Sequence, residues 1–139
     1  MIYEKEVYHF LILHFPIALF ITGYFFDIVG FVKSNSLFEK MGYLNLIMGI
    51  FFGILSIISG FITDNEIVGH MDSPFPIWET HGTHMIVAIL FFVIILIIRN
   101  LNSKNKINIS FRIILIIQGL VMLFFMHGAH LGAKLAGRL

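Results

Sequence analysis

Hydrophobic positions fall in four long blocks, residues 7–26, 41–63, 80–98 and 113–133, none containing Asp, Glu, Lys or Arg apart from the borders. Each block is about 20 residues long, the length an α-helix needs to cross a hydrocarbon core roughly 30 Å thick. Apolar side chains run round every side of the blocks rather than alternating, which argues against barrel strands. In lipid the backbone must also satisfy its own hydrogen bonds, and a helix does so within one segment. The pattern predicts helices at about 7–32, 41–63, 80–98 and 112–133. Together they make an all-α, up-down-up-down bundle of four transmembrane helices, with residues 1–139 as a single membrane domain.

The polar connections between the blocks predict an orientation. Lys33 and Lys40 flank the first, and Arg99, Lys104, Lys106 and Arg112 lie in or beside the third. The second holds Asp64, Glu66, Asp72 and Glu79 and no Lys or Arg. Short loops rich in Lys and Arg stay in the cytoplasm, so the first and third connections are expected inside. The acidic loop and both termini are then expected outside, in the periplasm if the membrane is the inner membrane of a bacterium. In the acidic loop, Ser73-Pro74-Phe75-Pro76 forces extended or turn backbone, Trp78 suits an interfacial anchor, and Thr80 can cap the third helix. Residues 1–6 carry Glu4, Lys5 and Glu6 rather than a positive cluster, and no small-residue cleavage site follows Phe20. The first apolar segment is therefore expected to stay in the mature protein.

Composition strengthens the membrane reading. Of 139 residues, 58% are hydrophobic and 12% charged, too few polar groups to cover a water-soluble domain of this size. A net charge of +1 gives no field for nucleic acid. Cysteine is absent, which removes disulfides, thiolate metal sites, iron–sulfur clusters and cysteine nucleophiles together. No nucleophile–base pair or phosphate loop stands out, so self-contained hydrolase or transferase chemistry is not expected.

The candidate chemistry is carried by histidine, at positions 9, 14, 70, 81, 84, 127 and 130. The third helix opens with His81-Gly82-Thr83-His84 and the fourth closes with His127-Gly128-Ala129-His130, so an antiparallel pair brings the two tetrads to one level. At 1.5 Å per residue, His84 and His127 stand about 22 Å above Arg99 and Arg112. His81 and His130 stand about 27 Å up, and His14 about 28 Å above Lys33. Five imidazoles from three helices therefore share an outer slab, while His9 and His70 read as interfacial residues in contact with water and headgroups. Intramembrane ionisable residues are costly and usually functional, and neutral imidazole is the commonest metal ligand.

Haem needs only one or two imidazoles and a slot between helices. The second helix carries Gly42, Gly49, Gly53, Ser56 and Gly60 on one face, mostly suited to close helix packing, with Ser56 and Gly60 at the outer end available to a porphyrin. His14 and His84, on diagonal helices, are the preferred axial pair, with His127 or His130 as the replacement if the bundle is ordered otherwise, and His81 is a further candidate metal ligand. Lys134 and Arg138 are placed to neutralise propionates or to meet headgroups. Pro16, two residues after His14, frees the Ile12 carbonyl, and Asp27, one turn from Tyr24, is expected to be solvated at the inner interface.

The run Leu13-His14-Phe15-Pro16-Ile17-Ala18-Leu19 resembles the opening motif of the DUF2231 family of bacterial four-helix membrane proteins. Ser59-Gly60 with Asp64, the His84 helix ending at Arg99, and His130-Leu131-Gly132-Ala133-Lys134-Leu135 are similar to the family's later features. Ala133 stands where a second glycine is usual, Ala136-Gly137 replaces a Val-Tyr pair, and His81 and His127 exceed the family's minimum. The resemblance spans nearly the whole chain and implies the four-helix fold. Members are often encoded with, or fused to, cytochrome-like domains, which implies redox work.

The expectation is a membrane electron-transfer subunit holding b-type haem near the outer face, working with redox partner subunits or quinol rather than as an enzyme alone. The alternatives are a non-haem copper or zinc protein, with Met85 or Met126 joining the histidines, and a structural subunit of a larger complex.

Overall fold

A computed structural model describes residues 5–63 and 81–135. The acidic loop with Asp64, Glu66, His70, Asp72, Trp78, Glu79 and Thr80 lies outside the described residues, as does Arg138.

Four helices make up the described chain: α1 (Lys5–Lys33), α2 (Ser36–Thr63), α3 (His81–Ser103) and α4 (Phe111–Leu135). Each is long and apolar enough to cross a membrane. All four run past their apolar blocks, and two depart by several residues from the predicted helices: α2 begins at Ser36 rather than near 41, and α3 continues to Ser103. The early start of α2 has a local cause. Asn35 caps it, its side-chain oxygen accepting from Leu37 N at 2.9 Å, and Glu39 N bonds back to the Asn35 carbonyl.

Both short connections at this end close in the same way. Ser34 takes a left-handed backbone (φ 49°), Asn35 N bonds to Gly30 O at 2.9 Å, and Ser34 N bonds to Phe31 O. After α3, Asn105 is left-handed (φ 55°), with Lys106 N on Leu101 O and Asn105 N on Asn102 O, each at 3.0 Å. These paired bonds satisfy carbonyls that a helix end otherwise leaves open. The Asn102 side chain then bonds both the N–H and the carbonyl of Ile109, folding the second loop back towards α4.

Neighbouring helices are antiparallel, and side-chain pairings show their order round a square. On the α1–α2 side, His9 meets Gly60, Phe20 meets Gly49 and Asp27 meets Gly42. Ile89 of α3 fills the space at Gly53, His81 and His84 lie against Gly132 and Gly128 of α4, and Tyr24 reaches Gly119. The first and third helices are thus diagonal. They touch through the centre, where Phe20 stacks on Phe92 with ring centroids 3.9 Å apart and Phe125 meets Phe20 edge-on at 5.2 Å. Leu46, Ile50, Ala88, Ile89 and Ile95 complete this core.

Candidate functional site

The bundle has two polar ends, separated by the phenylalanine core. At one end are the histidines. His81 Nδ1 lies 2.7 Å from the Gly128 carbonyl, which can only accept, so Nδ1 carries the proton. In the neutral ring the lone pair is then on Nε2. His14 follows the same logic, donating from Nδ1 to its own Phe10 carbonyl at 2.5 Å. His9 Nδ1 lies 2.9 Å from Ser59 Oγ, whose hydroxyl donates to Ser56 O, so His9 too is a donor at Nδ1. Three imidazoles therefore hold the tautomer typical of metal-binding histidines, one nitrogen engaged and the other carrying a lone pair.

His84 is fully buried (0% exposed), stacked on Phe124 with centroids 4.8 Å apart and meeting the ring of His127 at 5.3 Å and 61°. A glycine makes this approach possible. A Cβ at Gly128 would come within 2.6 Å of His84 Cβ and 3.0 Å of Met85 Cε. Gly132 does the same for His81, with 2.7 Å to its ring.

The structure thus brings His81, His84 and His127 together where α3 meets α4, while His9 of α1 packs against Ser59 and Gly60 of α2. His14 is exposed on the outward side of α1, away from buried His84, and both His127 and His130 are exposed on α4. Gly60 faces the His9 ring at 3.2 Å. Ser56 is buried, lining a cavity of about 10 Å³ with Leu13, Pro16, Gly53, Met85, Ile89 and Phe125. That space holds one water-sized molecule and no porphyrin. Lys134 is exposed at the end of α4. Among the described residues, no three histidine or acidic groups already stand in a constellation able to hold an ion. His9, read from sequence as interfacial, is partly buried, with its ring on Ser59 and Gly60.

At the other end the reading of Asp27 is corrected. Asp27 is not solvated but wholly buried, forming a two-pronged ion pair with Arg99: Nη1 to Oδ2 at 2.6 Å and Nη2 to Oδ1 at 2.9 Å. Gln118 Nε2 donates to the same carboxylate at 3.1 Å, and Arg99 Nη2 also donates to the Glu39 carbonyl at 3.2 Å. The Tyr43 and Phe111 rings flank the guanidinium at 5.5 and 5.3 Å. The physical reason is Gly42: any Cβ there would overlap the Asp27 carboxylate, and its absence makes room for a buried charge that Arg99 neutralises.

Fold and site together define a four-helix protein with spans suited to a membrane, polar clusters at both ends and an apolar middle. The chain belongs to the DUF2231 family, described as a predicted membrane protein, whose model matches residues 7–139. No curated protein and no solved structure matches it.

Proposed function

We propose that the protein is a metal-binding membrane subunit serving electron transfer, and that it takes a copper ion where α3 meets α4 at the histidine end. The observation that carries this is the 5.3 Å separation of the His84 and His127 rings. With metal–nitrogen bonds of about 2.0–2.1 Å, two imidazoles bound tetrahedrally to one ion have centroids roughly 5 Å apart. Met85, whose methyl group lies beside Gly128 and His84, offers a thioether, and the soft thioether favours copper over zinc. His81, one turn from His84, supplies a further Nε2 from a ring already oriented by the Gly128 carbonyl. In this reading the histidine end faces the periplasm of a bacterial inner membrane, towards redox partner subunits or quinol.

A b-type haem is the second reading, and a different observation favours it. His14 presents an oriented imidazole on the outward side of α1. His14 is exposed while His84 is buried, so a porphyrin held by His14 would lie against the outside of the bundle.

Metal analysis and a visible spectrum of protein purified from cells supplied with copper, zinc and haem decide between them. The expected result is about one copper per chain, with His84→Ala and His127→Ala each weakening retention at least ~10-fold and His130→Ala leaving it unchanged. A Soret band lost in His14→Ala, without copper, establishes the haem reading instead. Stoichiometric zinc redirects the proposal to a non-redox site, and no cofactor at all leaves a structural subunit.

A further inference from the structure

The Asp27–Arg99 pair lies outside the functional reading, yet it joins all four helices. The carboxylate comes from α1, the guanidinium and its charge from α3, a carbonyl, an aromatic face and the space at Gly42 from α2, and an amide and a second aromatic face from α4. Asp27 is six residues before the end of α1 at Lys33, about 9 Å inward along the axis. A single charge at such a depth is expensive in a bilayer, and intramembrane charges accordingly pair with one another.

Three features separate this arrangement from an incidental contact. Both carboxylate oxygens are engaged by the guanidinium in the fork geometry that makes such pairs directional. The pair spans the diagonal of the square, the direction along which greasy helices are least constrained by their neighbours. Gln118 is 2% exposed and donates to Asp27 although its own carbonyl oxygen meets no hydrogen-bond donor among the described residues. A buried acceptor left without a partner costs stability, so Gln118 is placed at the expense of its own satisfaction to serve the carboxylate.

We infer that Asp27 and Arg99, with Gln118 and the gap at Gly42, form an intramembrane charge clasp that fixes the register of α1 against α3 and makes assembly of the two helical hairpins mutually dependent. Before the hairpins meet, each carries an uncompensated charge on a membrane-spanning helix; after they meet in the correct register, both charges are neutralised. Sliding α3 by one residue rotates Arg99 by about 100° and breaks the fork, so only one packing is neutral. Apolar helix faces alone discriminate poorly between registers in lipid, because the lipid is as apolar as they are.

The test is a pair of double-mutant cycles on the full chain in detergent, read as the melting midpoint of the monodisperse fraction. Asp27→Asn and Arg99→Gln should each lower the midpoint by about 10 °C or more, because each leaves the other charge buried and alone. The double variant D27N/R99Q should recover at least half of the larger single loss. Gly42→Ala, which displaces the carboxylate without touching either charge, should be damaging in the native background and nearly silent in the background of Asp27→Ala. If single variants yield no folded protein, recovery of folded protein in the double variant carries the same meaning. Strictly additive losses in both cycles, or a double variant no more recoverable than the singles, would overturn the clasp.

Discussion

At Ser34 the chain holds a residue with a Cβ in left-handed backbone, at the position where a helix most often ends on glycine. The strain of an L side chain there is about 1 kcal/mol, and the bonds from Asn35 and Ser34 to the α1 carbonyls keep the conformation in place. Ser34→Gly is therefore expected to raise stability by roughly 0.5–1 kcal/mol, and Ser34→Val to lower it by at least as much, in a thermal or denaturant melt. Asn105, the equivalent residue after α3, is already of a type that tolerates this backbone and should gain less from glycine. The histidines show how much was legible at this scale. Counting residues from basic anchors gives height along a helix, and the tetrads of α3 and α4 do meet. Height says nothing about azimuth: His9 precedes His14 by five positions, about 140° round the helix, so the two cannot share a face. The signal that could have located His9 is its partner, since Gly60 leaves the space its ring occupies.

Helix α2 shows the same complementarity at the level of a whole element. Its glycines form one face, and each is matched by a larger group: Asp27 at Gly42, Phe20 at Gly49, Ile89 at Gly53 and His9 at Gly60. The stripe was legible as close packing; its outer end is taken by His9 rather than left open. Its specific partners were not legible, because they depend on a register set by contacts from two other helices. The matches also differ in tolerance. A Cβ at Gly49 would lie 2.6 Å from the Phe20 ring, which is held by stacking on Phe92 and an edge contact with Phe125, so it has nowhere to turn. Gly49→Ala should cost about 1–3 kcal/mol. At Gly60 the nearest His9 atom is 3.2 Å away and belongs to a ring at the bundle's end, so Gly60→Ala should be milder. Melting midpoints of the two variants in one detergent compare them directly, and a larger loss at Gly60 would contradict this account. The clasp escaped sequence reasoning for a related reason. Asp27 and Arg99 are 72 positions apart, and each alone resembles an ordinary charge near a membrane surface.

The molecule as a whole turns large apolar side chains outward along every helix. Leu11 and Phe25 on α1, Leu44 and Phe51 on α2, Leu90 and Ile97 on α3, and Leu120 and Leu123 on α4 are all exposed, Leu123 at 69%. A surface of this kind suits hydrocarbon, which explains why four spans were readable from hydropathy alone. Which end faces which compartment depends on charge instead. Lys33, Lys40, Lys104, Lys106 and Arg112 cluster at the end that carries the Asp27–Arg99 pair, and the acidic connection from 64 to 79 leaves from the histidine end. Burial of Arg99 in the clasp weakens its claim as a topogenic charge, since a neutralised guanidinium is not presented to the cytoplasmic surface. The remaining lysines in the two short loops still give the bias its sign. The chain has no cysteine, so single cysteines can be introduced without background. Asp72→Cys and Lys104→Cys are expected to react with an impermeant maleimide from opposite faces of the membrane. In intact cells the thiol introduced at position 72 should label directly, and the one at position 104 only after permeabilisation. Reversed labelling would place the histidines on the cytoplasmic side and redirect any metal they hold towards cytoplasmic donors. Labelling of both positions from one face would mean that α3, the single span between them, fails to cross, against the four-span architecture itself.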